Sequence, residues 1–180
     1  MDVMIAEICK TIMGRISSYE LLNNLLPGAI YVVAVERLTD FRIFTDDALR
    51  NIIISYTVGL IIGRIGSLVI EELLKKIKKG KWLERVNYEE YVRAEKRDDN
   101  GQLRRLSMTN NAYRSLTATF VCILLTVCLS LIWPNISTFP WVRQIFVILG
   151  LIIVITVICF SYKKQTRYVT KRVKTMNKEP

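Results

Sequence analysis

Apolar and charged residues are segregated along this chain. Two stretches, 116–133 and 145–162, contain no charged residue, and each is about long enough to cross a hydrocarbon layer of about 30 Å. Two further stretches, 21–38 and 48–70, are apolar but carry polar interruptions. Because only helices and closed barrels satisfy the backbone in lipid, this pattern predicts an all-α membrane protein with about four transmembrane helices.

The first of these stretches leaves the number of crossings open. Residues 21–38 are interrupted by Pro27 and Gly28 and end in Glu36 and Arg37. The segment is therefore interpreted as a crossing helix, a re-entrant segment or an interfacial one. If all four stretches cross, the connections fall at about 39–47, 71–115 and 134–144.

Charge predicts the orientation. The 180 residues carry a formal net charge of +10, and most Lys and Arg lie in 71–115 and after Tyr162, whereas 134–144 holds Arg143 as its one basic residue. Basic loops stay on the cytoplasmic side of a membrane. We therefore expect a multi-pass membrane protein with both termini in the cytoplasm. Without a first crossing, the N-terminus would lie outside.

Four segments follow from this pattern: transmembrane helices 1 and 2 in 1–70, a basic helical cytoplasmic segment in 71–115, transmembrane helices 3 and 4 in 116–162, and a basic cytoplasmic tail in 163–180. Spans 2 and 3 are expected to continue out of the bilayer as helices, joined by a short helical insert around Tyr88–Glu95 and a turn at 98–101. A closed ring of such copies would form a basic vestibule, so a homo-oligomer in the lipid bilayer is expected.

Arg64 lies inside the apolar stretch 48–70. A charge there is costly and usually faces a bundle interior or a water-filled cavity. Arg64 either lines a pore or binds a phosphate, or it pairs with Glu36 or reaches the headgroups. Gly59, Gly63 and Gly66 share adjoining parts of one helical face, for which close helix packing is favoured over ligand contact. Together, these residues form the candidate set for a pore or its packing: Gly59, Gly63, Arg64, Gly66 and Glu36.

A second candidate set lies in the cytoplasmic segment. Arginines interleave there with Tyr88, Tyr91 and Tyr113. Arginine with aromatic rings suits phosphate binding and base stacking, although an ordinary solvated helix surface is somewhat favoured. The candidate ligand-binding residues are Arg93, Arg97, Arg104, Arg105, Tyr113 and Arg114.

Catalytic and metal chemistry have little support in the sequence. It contains no histidine, which removes Ser-His-Asp and Cys-His pairs and the usual zinc patterns. Cys122, Cys128 and Cys159 lie in the apolar spans, where small packing residues are expected. No enzyme activity, cofactor, catalytic residue or metal site is predicted.

Four motifs carry a resemblance to a known family. They are Gly59–Gly66 with Arg64, Ile70-Glu-Glu-Leu-Leu-Lys75, Tyr88-Glu-Glu-Tyr-Val-Arg-Ala-Glu-Lys96 and Asn110-Asn-Ala-Tyr-Arg114. Over roughly residues 50–120 the chain resembles small bacterial membrane effectors of anti-phage defence, such as the channel-forming Hailong type, and the resemblance implies a place in the bacterial inner membrane. The resemblance implies an oligomeric ion channel encoded beside a nucleotidyltransferase, whose oligodeoxynucleotide product would keep the channel closed until infection removes it.

The expected function is therefore an oligomeric channel effector, gated by an anionic nucleotide or oligonucleotide, that depolarises the membrane. The alternative is a non-conducting membrane anchor or adaptor that recruits a soluble partner through residues 71–115. A small transporter subunit is a weaker alternative, favoured only by the helix break at Pro27 and Gly28.

Overall fold

The computed structural model describes residues 18–39, 41–77, 83, 86–132 and 141–177. Residues 78–82, 84 and 85 of the predicted cytoplasmic segment, and most of the connection 134–144, lie outside the described residues. All regular structure in the described part is helical. The helices are α1 (18–38, comprising Ser18–Glu20, a π-helical turn Leu21–Leu25 and Leu26–Leu38), α2 (Ala48–Lys76, with a π-helical turn Gly66–Ile70), α3 (Tyr88–Lys96), α4 (Gln102–Ile132) and α5 (Trp141–Met176).

Three helices in the described part of the chain are long and apolar enough to cross a membrane. The spans are Ala48–Lys76, Gln102–Ser130 and Ile145–Met176. An all-helical chain with three such helices confirms the predicted fold class in this coarser form, and α1 is not among the three. The apolar half of α5 is the least packed, with 6% of its apolar window buried against 33% for α4.

Local chemistry sets the ends of α1 and α2. Asp47 caps α2, because its carboxylate accepts the backbone N–H groups of Leu49 at 2.9 Å and Arg50 at 3.3 Å. At the end of α1, the Thr39 hydroxyl donates to the Val35 carbonyl at 2.6 Å. Pro27 lies two positions after the π-helical turn Leu21–Leu25. A proline ring clashes with the carbonyl four residues back in a regular α-helix, and the wider turn relieves that clash.

The antiparallel helices α1 and α2 cross with their backbones in direct contact. A Cβ atom added at Gly28 would lie 1.8 Å from the Ser55 carbonyl oxygen, and one at Gly59 would lie 1.7 Å from that of Asn24. Only glycine fits at either position. This is the close packing that the sequence favoured for Gly59.

The polar ends of α4 and α5 pack with α3 into a small bundle, which we call the basic bundle (88–96, 102–113 and 163–176). Its core consists of Ala94, Leu103, Val169, Val173 and Met176. The predicted turn at 98–101 is present: the Gly101 N–H donates to the Asp98 carbonyl at 3.0 Å, and Gly101 has a φ of 59°, which favours glycine. The segment that charge alone marked as a basic tail is helical to Met176.

Candidate functional site

A polar cavity of about 280 Å³ lies where α1, α2 and α4 meet. We call it the arginine pocket. Tyr19, Leu60 and Gly63 contribute to its wall. Its other lining residues are all polar: Asn23, Asn24, Arg64, Ser67, Arg114 and Ser115.

Arg64 reaches this pocket from the outer face of α2. Its neighbours on that face, Ile61 and Leu68, are 58% and 71% exposed. Within the described residues, no hydrogen bond or ion pair forms to the Arg64 guanidinium. Arg64 is therefore a cation in the middle of an exposed apolar helix face.

Glu36 does not neutralise Arg64 within one copy of the chain. Its Oε1 accepts the backbone N–H groups of Ile43 at 2.7 Å and Phe44 at 2.6 Å, which ties down the connection between α1 and α2. Glu36 lies thirteen positions along α1 from Asn23, about 20 Å at 1.5 Å per residue. The two candidates thus occupy opposite ends of the α1–α2 pair.

Arg114 is the second cation of the pocket, and an acidic partner holds it. Its Nη1 lies 3.1 Å from Glu71 Oε2, and Lys75 Nζ lies 3.1 Å from Glu71 Oε1. The side chains of Arg114 and Glu71 are only 17% and 7% exposed. Arg114 Nε is buried and has no hydrogen-bond partner among the described residues. The ion pair therefore positions Arg114 while leaving one donor of its guanidinium available.

Asn23 and Ser115 complete the polar wall, and the sequence analysis missed both. Asn23 is 3% exposed; its amide nitrogen donates to the Tyr19 carbonyl, whereas its Oδ1 has no partner in the described part of the chain. Ser115 Oγ and Asn24 Oδ1 both lie 3.9 Å from where a Cβ of Gly63 would sit. The sequence did contain a signal for Asn23, because the pair Asn23-Asn24 interrupts an apolar stretch. Placing polar amides in apolar surroundings costs free energy, as placing Arg64 there does.

The arginines predicted as ligand contacts are not gathered into one site. Arg93 lies 3.8 Å from Glu89, with both side chains about three-quarters exposed. Arg97 donates to the Met176 carbonyl at 3.2 Å, and Arg104 and Arg105 are exposed. Tyr113 packs half-buried against the apolar core around Tyr162, and Arg114 lies in the arginine pocket.

The basic bundle has its own cavity, of about 270 Å³. Asn110 is 3% exposed and its Oδ1 accepts the Thr166 hydroxyl at 2.8 Å, so Asn110 joins α4 to α5 through a structural hydrogen bond. Tyr88 on the rim is 78% exposed. The lining residues are Val86, Tyr88, Tyr91, Ser107, Asn110, Thr166, Val169 and Thr170.

The arginine pocket presents positive charge and hydrogen-bond donors within largely apolar surroundings, which is the chemistry of an anion site or of a hydrated path. No group of three His, Cys, Asp or Glu side chains that could hold a metal occurs among the residues that were described. Comparisons of the chain with protein-family models, with curated proteins and with solved structures found no match.

Proposed function

We propose that this chain is the subunit of an oligomeric membrane channel, with Arg64 beside the water-filled path. Opening lets ions cross and depolarises the membrane. The resemblance adds a role in anti-phage defence and an anionic nucleotide or oligonucleotide, made by a partner nucleotidyltransferase, as the gating ligand. The observation that carries the proposal is an arginine on the outer face of an apolar span, with no partner for its guanidinium among the described residues of one copy.

An isolated arginine that faces lipid is unfavourable by about 3 kcal/mol at the bilayer centre and by less towards the headgroups. Water or a second copy of the chain removes that cost. Ile61 and Leu68 flank Arg64 on the same face and are available to pack against a neighbouring subunit. The weakly packed apolar half of α5 offers a further surface for lipid or for another subunit.

The packing of α1 supports a fourth crossing. Tyr19 and Asn23, near its start, line the pocket with Arg64, and the Tyr31 hydroxyl lies 3.1 Å from Thr126 Oγ1 of α4. Helix α1 thus runs beside α2 and α4, two of the candidate spans, over about the same depth of the proposed membrane. With four crossings, the positive-inside rule puts the basic bundle in the cytoplasm.

A route from ligand to pore runs through the junction of α2 and α4. Glu71 follows the π-helical turn Gly66–Ile70 and holds Arg114, whose main chain continues into the basic bundle. Arg93, Arg104 and Arg105 lie exposed on that bundle, open to phosphates from solution. A ligand with different affinity for open and closed bundles would shift their populations.

Recording from purified protein in planar bilayers tests the proposal. We expect a conductance that Arg64→Leu changes at least about tenfold, corresponding to about 1.4 kcal/mol. The matched control, Arg50→Leu, removes an exposed arginine from the opposite end of the same helix and should conduct like the parent. Oligonucleotide should change the open fraction, and a variant with Arg93, Arg104 and Arg105 replaced by Gln should respond less. Absent conductance at verified incorporation would contradict the proposal.

A membrane adaptor is the second candidate, favoured by the 78% exposed ring of Tyr88 on α3. An adaptor has no ion path, so its function would survive Arg64→Leu. Tyr88→Ala would instead abolish capture of its soluble partner. The two candidates are separated by which of these two substitutions removes activity in cells.

A further inference from the structure

We infer that the arginine pocket binds a phosphate ester that also carries a hydroxyl group. The inference rests on the proposed membrane arrangement but not on conduction. Arg64 lies seven positions from Glu71, about 10 Å along α2, and the basic sequence begins just beyond. The pocket therefore lies near the cytoplasmic headgroup layer, within reach of lipid phosphates and of solutes.

The donors of the pocket match a phosphate. Arg64 contributes a guanidinium with no protein partner in the described residues, and Arg114 contributes a buried, unpartnered Nε. Arginine is well suited to phosphate oxygens because its N–H groups form directed, charge-assisted bonds. The charge of the pocket wall agrees, since Arg64 and Arg114 are the two charged residues that line it, and Glu71 pairs with Arg114.

An unsatisfied acceptor in the pocket, Asn23 Oδ1, indicates that the same ligand also carries a hydroxyl donor. Asn23 Oδ1 is buried and lacks a donor among the described residues. The phosphate of a diester headgroup carries no P–OH at neutral pH and offers only oxygen lone pairs to Asn23 Oδ1, whereas a glycerol or sugar hydroxyl beside that phosphate can donate. Leaving such an acceptor unsatisfied costs about 1–3 kcal/mol. A phosphate ester with an adjacent hydroxyl satisfies both kinds of group.

Gly63 provides the space. A Cβ atom there would lie 3.9 Å from its nearest neighbours, in contrast to 1.7 Å at Gly59. Helix packing therefore does not require glycine at position 63. Its missing side chain instead keeps the cavity open between Asn24 and Ser115.

The test is lipid binding by native mass spectrometry of detergent-solubilised protein, with phosphatidylglycerol and phosphatidylcholine of equal chain length. The parent should bind phosphatidylglycerol about tenfold more tightly, the gain expected from one additional charge-assisted interaction. Arg64→Gln, which removes the guanidinium, and Gly63→Leu, which fills the cavity, should each abolish the preference. Arg50→Gln is the matched control and should keep it. Circular dichroism verifies folding, and if Gly63→Leu does not fold, Arg64→Gln alone decides.

Competition separates the two sources of the phosphate. Suppose that glycerol 3-phosphate displaces phosphatidylglycerol at millimolar concentration and that inorganic phosphate displaces it more weakly. This result would assign the site to a soluble phosphate ester. Failure of both competitors would assign it to the lipid headgroup. An equal preference in all four proteins would overturn the inference. Since no current is measured, this result is independent of whether the protein conducts.

Discussion

The arginine pocket and the basic bundle are both rich in polar side chains, but they use them differently. In the bundle, several polar groups bond one another: the Thr166 hydroxyl donates to Asn110 Oδ1, and Gln165 donates to the Leu106 carbonyl at 3.0 Å. Its buried atoms without a hydrogen bond, Arg172 Nε and the neighbouring Asp98 Oδ1, belong to opposite charges that lie 4.0 Å apart. In the pocket, Arg64 and Asn23 Oδ1 have no partner in the described part of the chain. Buried polar groups are normally satisfied, so an exception indicates strain or a ligand. The difference therefore lies in pairing: the charges of the bundle face opposite charges, whereas Arg64 and Asn23 Oδ1 face no complementary group among the described residues.

The largest expected effect concerns the helix crossing beneath the pocket. Gly59→Leu would drive a side chain into the Asn24 backbone, where a Cβ alone would lie at 1.7 Å. We expect a loss of at least about 3 kcal/mol, the upper end for overpacking, because backbone cannot move aside as a side chain can. Thermal unfolding in detergent measures it.

Gly63→Ala is the control for that substitution, one helical turn away. Its added methyl group would lie 3.9 Å from its nearest neighbours, an ordinary van der Waals distance, and would remove the helix cost of glycine, so stability should rise by about 0.5–1 kcal/mol. Equal destabilisation by the two substitutions would mean that α1 and α2 do not cross as described.

The next largest effect concerns the ion pair behind the pocket. Glu71→Gln would leave Arg114 buried without its charge partner, which typically costs about 3–5 kcal/mol when one member of a buried pair is removed. We expect the lower end, because Lys75 and Arg114 are partly exposed. The double variant Glu71→Gln with Arg114→Gln should recover part of the loss. A purely additive double variant would show that the two side chains do not interact.

A smaller effect is expected inside the basic bundle. Asn110→Ala removes the bond to Thr166, whose hydroxyl retains its bond to the Tyr162 carbonyl at 3.0 Å. The expected loss is about 1 kcal/mol, the usual net value of one hydrogen bond. A double-mutant cycle with Thr166→Val measures the interaction energy between the two side chains. An interaction energy of zero would show that this hydrogen bond does not stabilise the bundle.

The smallest effect belongs to the exposed arginines. Arg93 and Glu89 form a long pair, about three-quarters exposed, that should contribute less than about 0.5 kcal/mol. Arg93→Gln should therefore leave the unfolding temperature nearly unchanged. A large loss of stability would show that Arg93 has a structural role that the described contacts do not explain.

Periodicity and charge predicted the features that depend on local sequence. Three features are of this kind: the all-helical class, the helical insert at Tyr88–Lys96 and the turn closed by Gly101. Each depends on residues that are close together in the sequence, either on helical spacing or on a glycine that can adopt a positive φ. The motif at Gly59 likewise indicated a helix contact, since small residues at that spacing permit close approach.

What the sequence could not supply is which surfaces face each other. Arg114 forms an ion pair with Glu71, 43 positions earlier in the chain. Gly28 contacts Ser55 only because α1 and α2 cross at that point. The sequence offered Glu36 as a partner for Arg64 on charge alone, yet the two lie at opposite ends of the pair. The same limit explains why Asn23 and Ser115 were missed, because each becomes informative only beside Arg64.

The water accessibility of position 64 in a conducting protein tests the central claim most directly. Arg64→Cys is made in a background with all four native cysteines replaced by Ala, and a membrane-impermeant, cationic thiol reagent is applied during recording. The account predicts modification from the aqueous phase, with a stepwise change in current, whereas Leu68→Cys, on the same face, should react much more slowly. A conducting protein whose residue 64 never reacts, or reacts without any change in current, would contradict it.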